Sequence, residues 1–263
     1  MRAAGPSQGV KVPLRGSDPR AAEERGGNMN GARSPLLRRA VGVIGFACGV
    51  ALTGCASGPA VPDWRLNAQT ASERATQADL QGKTRIATSE FDRMRREIAR
   101  TGDAALMARA ELLRCSIQVA SLAFGPCARF EALRADATVA ELAYADYLAG
   151  RVSTQAVPLL PAAQQAAARR LLEGGAVDAR DVDILAAIAD PLARLVAAAV
   201  WLQAGQGHPA VMALAVETAS AQGWSRPLLA WLHLQARHAE LAGDEEAVRR
   251  LRRRIDLVLG VQP

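Results

Sequence analysis

Glycine recurs along this chain at intervals that leave room for one helix each. Gly82, Gly102, Gly125, Gly150, Gly174, Gly205, Gly223, Gly243 and Gly260 fall where apolar patterns of helical spacing stop, and most gaps are between 17 and 25 residues. Glycine suits the position just past a helix because it accepts positive φ without steric cost. Helix starts follow the breaks, at Asp103, Asp190 before Pro191, His208 before Pro209, Ser225 near Pro227, and Asp244. Asp and Ser accept hydrogen bonds from the free N–H groups of a first turn, and Pro fits that turn. No alternating strand pattern or hairpin turn signal interrupts the series. This punctuation predicts an all-α chain of antiparallel helix pairs, with helices near 64–81, 83–100, 103–123, 128–149, 159–173, 179–188, 191–204, 209–222, 226–242 and 244–259.

The side chains between the breaks agree. The chain is rich in Ala, Leu and Arg, the strongest helix formers, and poor in aromatics and β-branched runs. In the last helix, Val248, Leu251, Ile255 and Val258 form one stripe, and most of the neighbouring arginines fall outside it. In the helix before, Leu228, Leu229, Trp231, Leu232 and Leu234 give a broader apolar face. Repeated antiparallel helices with short loops stack either as a solenoid or as an irregular bundle.

The N-terminal fifth of the chain has a different character. Residues 40–52 are 13 uncharged positions, three of them glycine, preceded by Arg33, Arg38 and Arg39. A membrane-crossing helix needs ~20 apolar residues, whereas the apolar region of a secretory signal needs ~7–15. The stretch therefore reads as a cleaved signal. Met29 opens a conventional leader over 29–54, and residues 1–28 read either as sequence ahead of the true start or as a disordered extension. The charge balance follows this division. Of 32 Lys+Arg and 26 Asp+Glu, eight basic and three acidic residues fall in 1–54, which leaves 24 basic and 23 acidic residues beyond. The remaining chain is close to neutral, so its charge is no argument for a nucleic-acid partner.

The leader ends in Leu52-Thr53-Gly54-Cys55. These four residues resemble the lipobox of bacterial lipoproteins. The resemblance implies that Cys55 is lipidated, becomes the first residue of the mature chain, and anchors it to a membrane. Ala56, rather than Asp, follows the cysteine, which in that family implies sorting to the outer membrane, with the domain on its periplasmic face. Two or three acyl chains, at ~0.8 kcal/mol per buried CH₂, hold a domain on a bilayer where one chain would not. Residues 55–63 then form a tether, and 64–263 form the helical domain. Cys48 leaves with the leader, so Cys115 and Cys127 remain as an even pair in an oxidising compartment. The turn Phe124-Gly125-Pro126 lies between them, and a helix ending near Ala123 could fold back to bring Cys127 against Cys115. A disulfide is expected; two buried thiols are the alternative.

A second resemblance lies in the helical part. "ASERATQADLQGKTRIATSEFDRM" resembles a tetratricopeptide repeat, with Ala75, Gly82, Ala87 and Phe91 at the small, turn and aromatic positions. The large aromatic expected early in the first helix is replaced by Ala71. "LAWLHLQARHAELAGDEEAVRRL" is similar through Trp231, Leu234, Gly243 and Ala247, with a turn one residue short. The resemblance implies stacked helix pairs that present a surface to a peptide or a partner helix.

Signatures of chemistry are absent. There is no G-x-S-x-G, P-loop, G-x-G-x-x-G or H-E-x-x-H. His233 and His238 are five apart and diverge around a helix, and His208 before Pro209 reads as a cap. Asp181 and Asp183 read as acids at a helix N-terminus, complementing its dipole. No metal, no cofactor and no catalytic residue is expected. Trp201, Trp224 and Trp231 read as core anchors, and Trp64 as a staple or an interfacial residue. The run Arg249, Arg250, Arg252, Arg253 and Arg254 reads as a solvated face paired to Glu245 and Glu246, or as a contact for an anion.

Two functions fit these features. The first is a lipid-anchored, non-enzymatic adaptor that supports an envelope process through an unidentified protein partner. The second is an envelope enzyme acting on peptidoglycan or another cell-wall substrate. A deep pocket with a buried acid beside a polar neighbour belongs to the second; a shallow groove lined by Ala, Leu and Arg belongs to the first.

Overall fold

The computed structural model describes residues 61–261. Leu52, Thr53, Gly54, Cys55 and the earlier segments lie outside the described residues. Every regular element among the described residues is helical. The order is α1 (Asp63–Leu80), α2 (Thr84–Ala99), α3 (Ala104–Ala120), α4 (Ala128–Glu131), α5 (Val139–Leu148), α6 (Ala162–Leu172), α7 (Val182–Ala186), α8 (Pro191–Gln203), α9 (Pro209–Ala221), α10 (Ser225–Ala242) and α11 (Glu245–Leu259), with single 3₁₀ turns at Arg134–Asp136 and Val157–Leu159.

α3 and α8 lie at the centre and pack on each other. α8 is buried on every side from Leu195 through Trp201, as an all-round apolar helix must be. It is capped by Asp190, whose carboxylate accepts from the Ala193 N–H at 2.7 Å, with Pro191 in the first turn. α1 and α2 form a hairpin against α3, and α9, α10 and α11 follow one another on the other side. Small residues at the α1 surface, Ala71 and Ala75, are fully buried, and Phe91 and Met94 of α2 fill the space beside them. Arg95 of α2 and the buried Glu111 of α3 add an ion pair at 2.7 Å between these two helices. A buried tyrosine and glutamine are matched to each other. The Tyr147 hydroxyl donates to Gln164 Oε1 at 2.8 Å, and Gln164 Nε2 donates to the Ala193 carbonyl at 2.9 Å.

The chain closes on itself. Trp231 of α10 donates its indole N–H to the Ala120 carbonyl at the end of α3, 3.1 Å away and 111 positions distant in sequence. Ser225 Oγ donates to the Gln81 carbonyl at 2.9 Å, and Arg226 pairs with Asp79 at 3.0 Å. An open solenoid makes contacts only between neighbouring repeats. Of the two arrangements left open by the sequence, these contacts are those of the bundle. Ala75, Ala87 and Phe91 are in the core, and Gly82 has φ +75°.

Four expected helices differ. The helix expected over 159–173 starts only at Ala162, after Pro161. The helix expected over 128–149 is broken into α4, a 3₁₀ turn and α5. Thr138 stops the first part and starts the next: its hydroxyl accepts from the Glu141 N–H at 3.3 Å, and the Glu141 carboxylate accepts from the Thr138 N–H at 2.8 Å. The helix expected over 103–123 ends three residues early, because Leu122 takes φ +57° and the Ala123 N–H donates back to the Gln118 carbonyl at 2.9 Å. The helix expected over 179–188 is reduced to the five residues of α7. Each glycine of the recurring series except Gly125 has positive φ. At Gly125 the reversal is made by Leu122 instead.

Candidate functional site

An apolar surface crosses α3. Trp64 and Ala68 of α1, Met94 and Ile98 of α2, and Leu106 and Ala110 of α3 line a hollow of about 310 Å³. Leu112 and Ser116 of α3, Ala140 and Tyr144 of α5, and Leu159, Leu160 and Pro161 of the α5–α6 connection line a second of about 400 Å³. Arg109 and Leu113 line both, so the two are one groove divided by Arg109. Trp64 forms its outer end, half-buried, with the Arg65 guanidinium 5.6 Å from its ring.

Arg109 is the polar centre of this groove. Its side chain is 70 % exposed, and Nε donates to Glu141 Oε1 at 3.0 Å. Its terminal nitrogens have no protein partner among the described residues. Glu141 is 5 % exposed, and its second oxygen is occupied by the Thr138 N–H. The carboxylate is therefore both a helix cap and an anchor that holds the arginine upright. Tyr144 faces the same wall, and burial pushes its phenol up to about 12. Ser116 donates to the Leu113 carbonyl at 2.7 Å, so its hydroxyl is committed to its own helix. The break at Thr138 builds this site, since one continuous helix over 128–149 would carry no cap at that point. Arg109 and Glu141, 32 residues apart, were not recognisable as partners in the sequence; the Thr138-x-x-Glu141 capping pattern was the available signal.

The arginine run lies on α11, outside this groove. Arg249, Arg250, Arg252, Arg253 and Arg254 are all exposed on α11. Arg252 pairs with Glu240 of α10 at 3.0 Å, and Arg250 approaches Glu246 at 3.8 Å. Glu245 forms no ion pair with Arg249. The five do not act as one patch: Arg250 and Arg254 face a groove between α9 and α11, and Arg249 and Arg253 share the outer face with Glu246 and Asp256.

Cys115 at the buried end of α3 and Cys127 at the start of α4 stand at disulfide distance, with Cα atoms 5.9 Å apart. The bond closes the turn through Phe124, which is itself exposed. Trp201 and Trp231 are fully buried and Trp224 nearly so, each with its indole N–H bonded: to the Ala167 carbonyl, the Ala120 carbonyl and Gln77 Oε1. His208 caps α9 by accepting from the Ala210 N–H at 3.2 Å. His233 and His238 are exposed.

Asp181 stands immediately before α7 and has a further role. Its carboxylate takes a two-pronged contact from Arg170 Nε and Nη2, each at 2.6 Å, and also accepts from the Asp178 N–H. The Arg170 guanidinium holds the Asp181 carboxyl below its ordinary range. The remaining Arg170 donors reach the Gly174 and Ala176 carbonyls. One arginine thus ties down the whole α6–α7 loop.

No protein-family model, no curated protein and no solved structure matches this chain.

Proposed function

We propose that the chain is a lipid-anchored helical adaptor on the periplasmic face of the outer membrane, and that the α3 groove receives an apolar segment of an envelope protein. Cys55 in its lipobox-like setting supports the anchor. The groove supports the adaptor. Trp64, Ala68, Met94 and Leu106 lie on one side of the upright Arg109, and Leu112, Ala140, Leu159 and Leu160 on the other. That pattern fits an amphipathic helix that lays apolar residues into both hollows and offers a carboxylate to the terminal nitrogens of Arg109.

The observation that carries this reading over an envelope enzyme is the state of Glu141. The groove does hold a buried acid, but both oxygens are occupied, by Arg109 and by the Thr138 N–H. A general acid or base needs an oxygen directed at a substrate within hydrogen-bond reach. Here the carboxylate is spent on architecture.

A photo-reactive amino acid at Leu113 tests the proposal in intact cells. It is expected to crosslink one envelope protein, and Arg109→Glu is expected to abolish the product. The same probe at Ile86, an exposed apolar residue of α2 outside the groove, is the control for general stickiness. Equal products from both positions, or a product indifferent to Arg109, would refute the groove as the docking site.

A further inference from the structure

A second groove runs between α9 and α11, floored by α10. Pro209, Met212 and Ala239 line one part together with His238, Arg250 and Arg254, in a space of about 430 Å³. Val216, Glu217, Ser220 and Gln235 line its continuation of about 390 Å³, where Arg254 and Gln235 are shared by both parts. Two charges mark the ends. Asp244 lies at the α10–α11 turn, and Glu217 lies near the end of α9. Between them, Arg250 and Arg254 stand four residues apart on the same face of α11. Arg254 has no ion-pair partner among the described residues, although Glu217 lines the same groove, and Arg250 has only the loose contact to the exposed Glu246. Asp244 is committed, because its carboxylate caps α11 by accepting from the Ala247 N–H at 2.9 Å.

The charge order along the groove is therefore acid, arginine, arginine, acid. We propose that this groove is a peptide-binding site that selects a segment with a central pair of carboxylates and basic or neutral flanks. From residue 244 to residue 254 the helix rises about 15 Å, which an extended segment of about five residues spans. The central acids of such a segment, two positions apart so that both point to one face of the extended strand, meet Arg250 and Arg254, whose planar guanidinium groups take carboxylates in a two-pronged manner. Glu217 and Asp244 repel a longer acidic run and so set the register, since like charges discriminate against wrong partners. A lipid surface fits less well. The two arginines lie between helical walls, and the outward-facing Arg249 and Arg253 are diluted by Glu246 and Asp256. The site is separate from the α3 groove, and either can fail without the other.

The test is fluorescence anisotropy with the purified full-length chain and a labelled peptide, Lys-Ser-Glu-Ser-Glu-Ser-Lys, whose two acids share one face of an extended strand. Saturable binding is expected, with Glu-Ser-Lys-Ser-Lys-Ser-Glu failing to compete. Arg250→Ala and Arg254→Ala are each expected to weaken binding about tenfold, the scale of one charge-assisted hydrogen bond. Arg249→Ala and Arg253→Ala are expected to leave it unchanged. The double charge reversal R250E/R254E is expected to bind Glu-Ser-Lys-Ser-Lys-Ser-Glu instead, a gain that misfolding cannot produce. No binding by the wild type, equal loss from all four alanine variants, or failure of the reversed pair to switch preference would overturn the proposal. So would displacement of the peptide by phosphatidylglycerol vesicles in a manner that depends on Arg249 and Arg253, which would identify a lipid surface.

Discussion

Trp231 is one of the residues through which the C-terminal helices hold the N-terminal half, and its substitution has a calculable cost. The side chain is fully buried, and its indole N–H meets the Ala120 carbonyl at 3.1 Å. That carbonyl belongs to the last turn of α3, where helix geometry leaves oxygens without internal partners. Trp231→Ala removes a large core side chain, which costs about 3–5 kcal/mol, and leaves a buried oxygen unpaired, which adds about 1–3 kcal/mol. A loss of about 4–8 kcal/mol is expected, a large part of the 5–15 kcal/mol by which domains are normally stable. Trp231→Phe keeps most of the volume and loses only the donor, so about 1–3 kcal/mol is expected. Urea unfolding followed by far-ultraviolet circular dichroism measures both. A single transition shifted by these amounts fits one closed bundle. A loss below about 1.5 kcal/mol for the alanine variant, or two separate transitions in the wild type, would refute the closure, because a stack of independent pairs unfolds from its ends.

Other outcomes follow from particular contacts. Replacing Cys115 and Cys127 together by alanine is expected to cost about 3 kcal/mol by the chain-entropy model, read as a lower urea midpoint than that of the oxidised protein. The chain's two tyrosines, Tyr144 and Tyr147, both have phenols raised by burial, Tyr144 to about 12. A phenol whose folded value is raised stabilises the fold fully below the unfolded value near 10, and that contribution is lost as pH rises from there. Alkaline spectrophotometric titration is therefore expected to show little tyrosinate at pH 10 and both groups ionising with unfolding; ordinary titration near 10 in the folded protein would contradict the burial. The Asp181 carboxyl is depressed by Arg170, so its contribution is present above the unfolded value of about 3.9 and is lost as pH falls through it. Asp181→Asn is expected to increase proteolysis of the 174–181 loop at neutral pH and to flatten the acid limb of stability; identical cleavage of both forms would show that the clamp does not order the loop.

The fold was legible where a signal was local. Gly243 and Asp244 mark the α10–α11 turn in the sequence, and the structure has φ +69° at the first and a capping carboxylate at the second. The buried tryptophans and the His208 cap were legible for the same reason: each rests on one helix pattern or one neighbouring proline. The break within 128–149 was missed because the apolar residues on both sides keep helical spacing, and the stop comes from a capping pair rather than from glycine. The Arg109 groove was not legible at all. It needs α1, α2, α3 and α5 to converge, and its ion pair joins residues that no local pattern connects. The Asp181 clamp was hidden for the same reason: its partner, Arg170, reaches it across a loop. The closure through Trp231 and Arg226 depends on contacts more than 100 residues apart, which is why solenoid and bundle stayed open until the helices were seen together.

The most direct measurement is site-specific photo-crosslinking at Leu113 in cells that carry either the intact chain or Cys55→Ala. One partner crosslinked with the intact chain, and lost both in Cys55→Ala and in Arg109→Glu, is the result expected of a membrane-anchored adaptor. A product that persists without the cysteine would contradict the anchor, and the absence of any product from Leu113 in the anchored chain would contradict the groove.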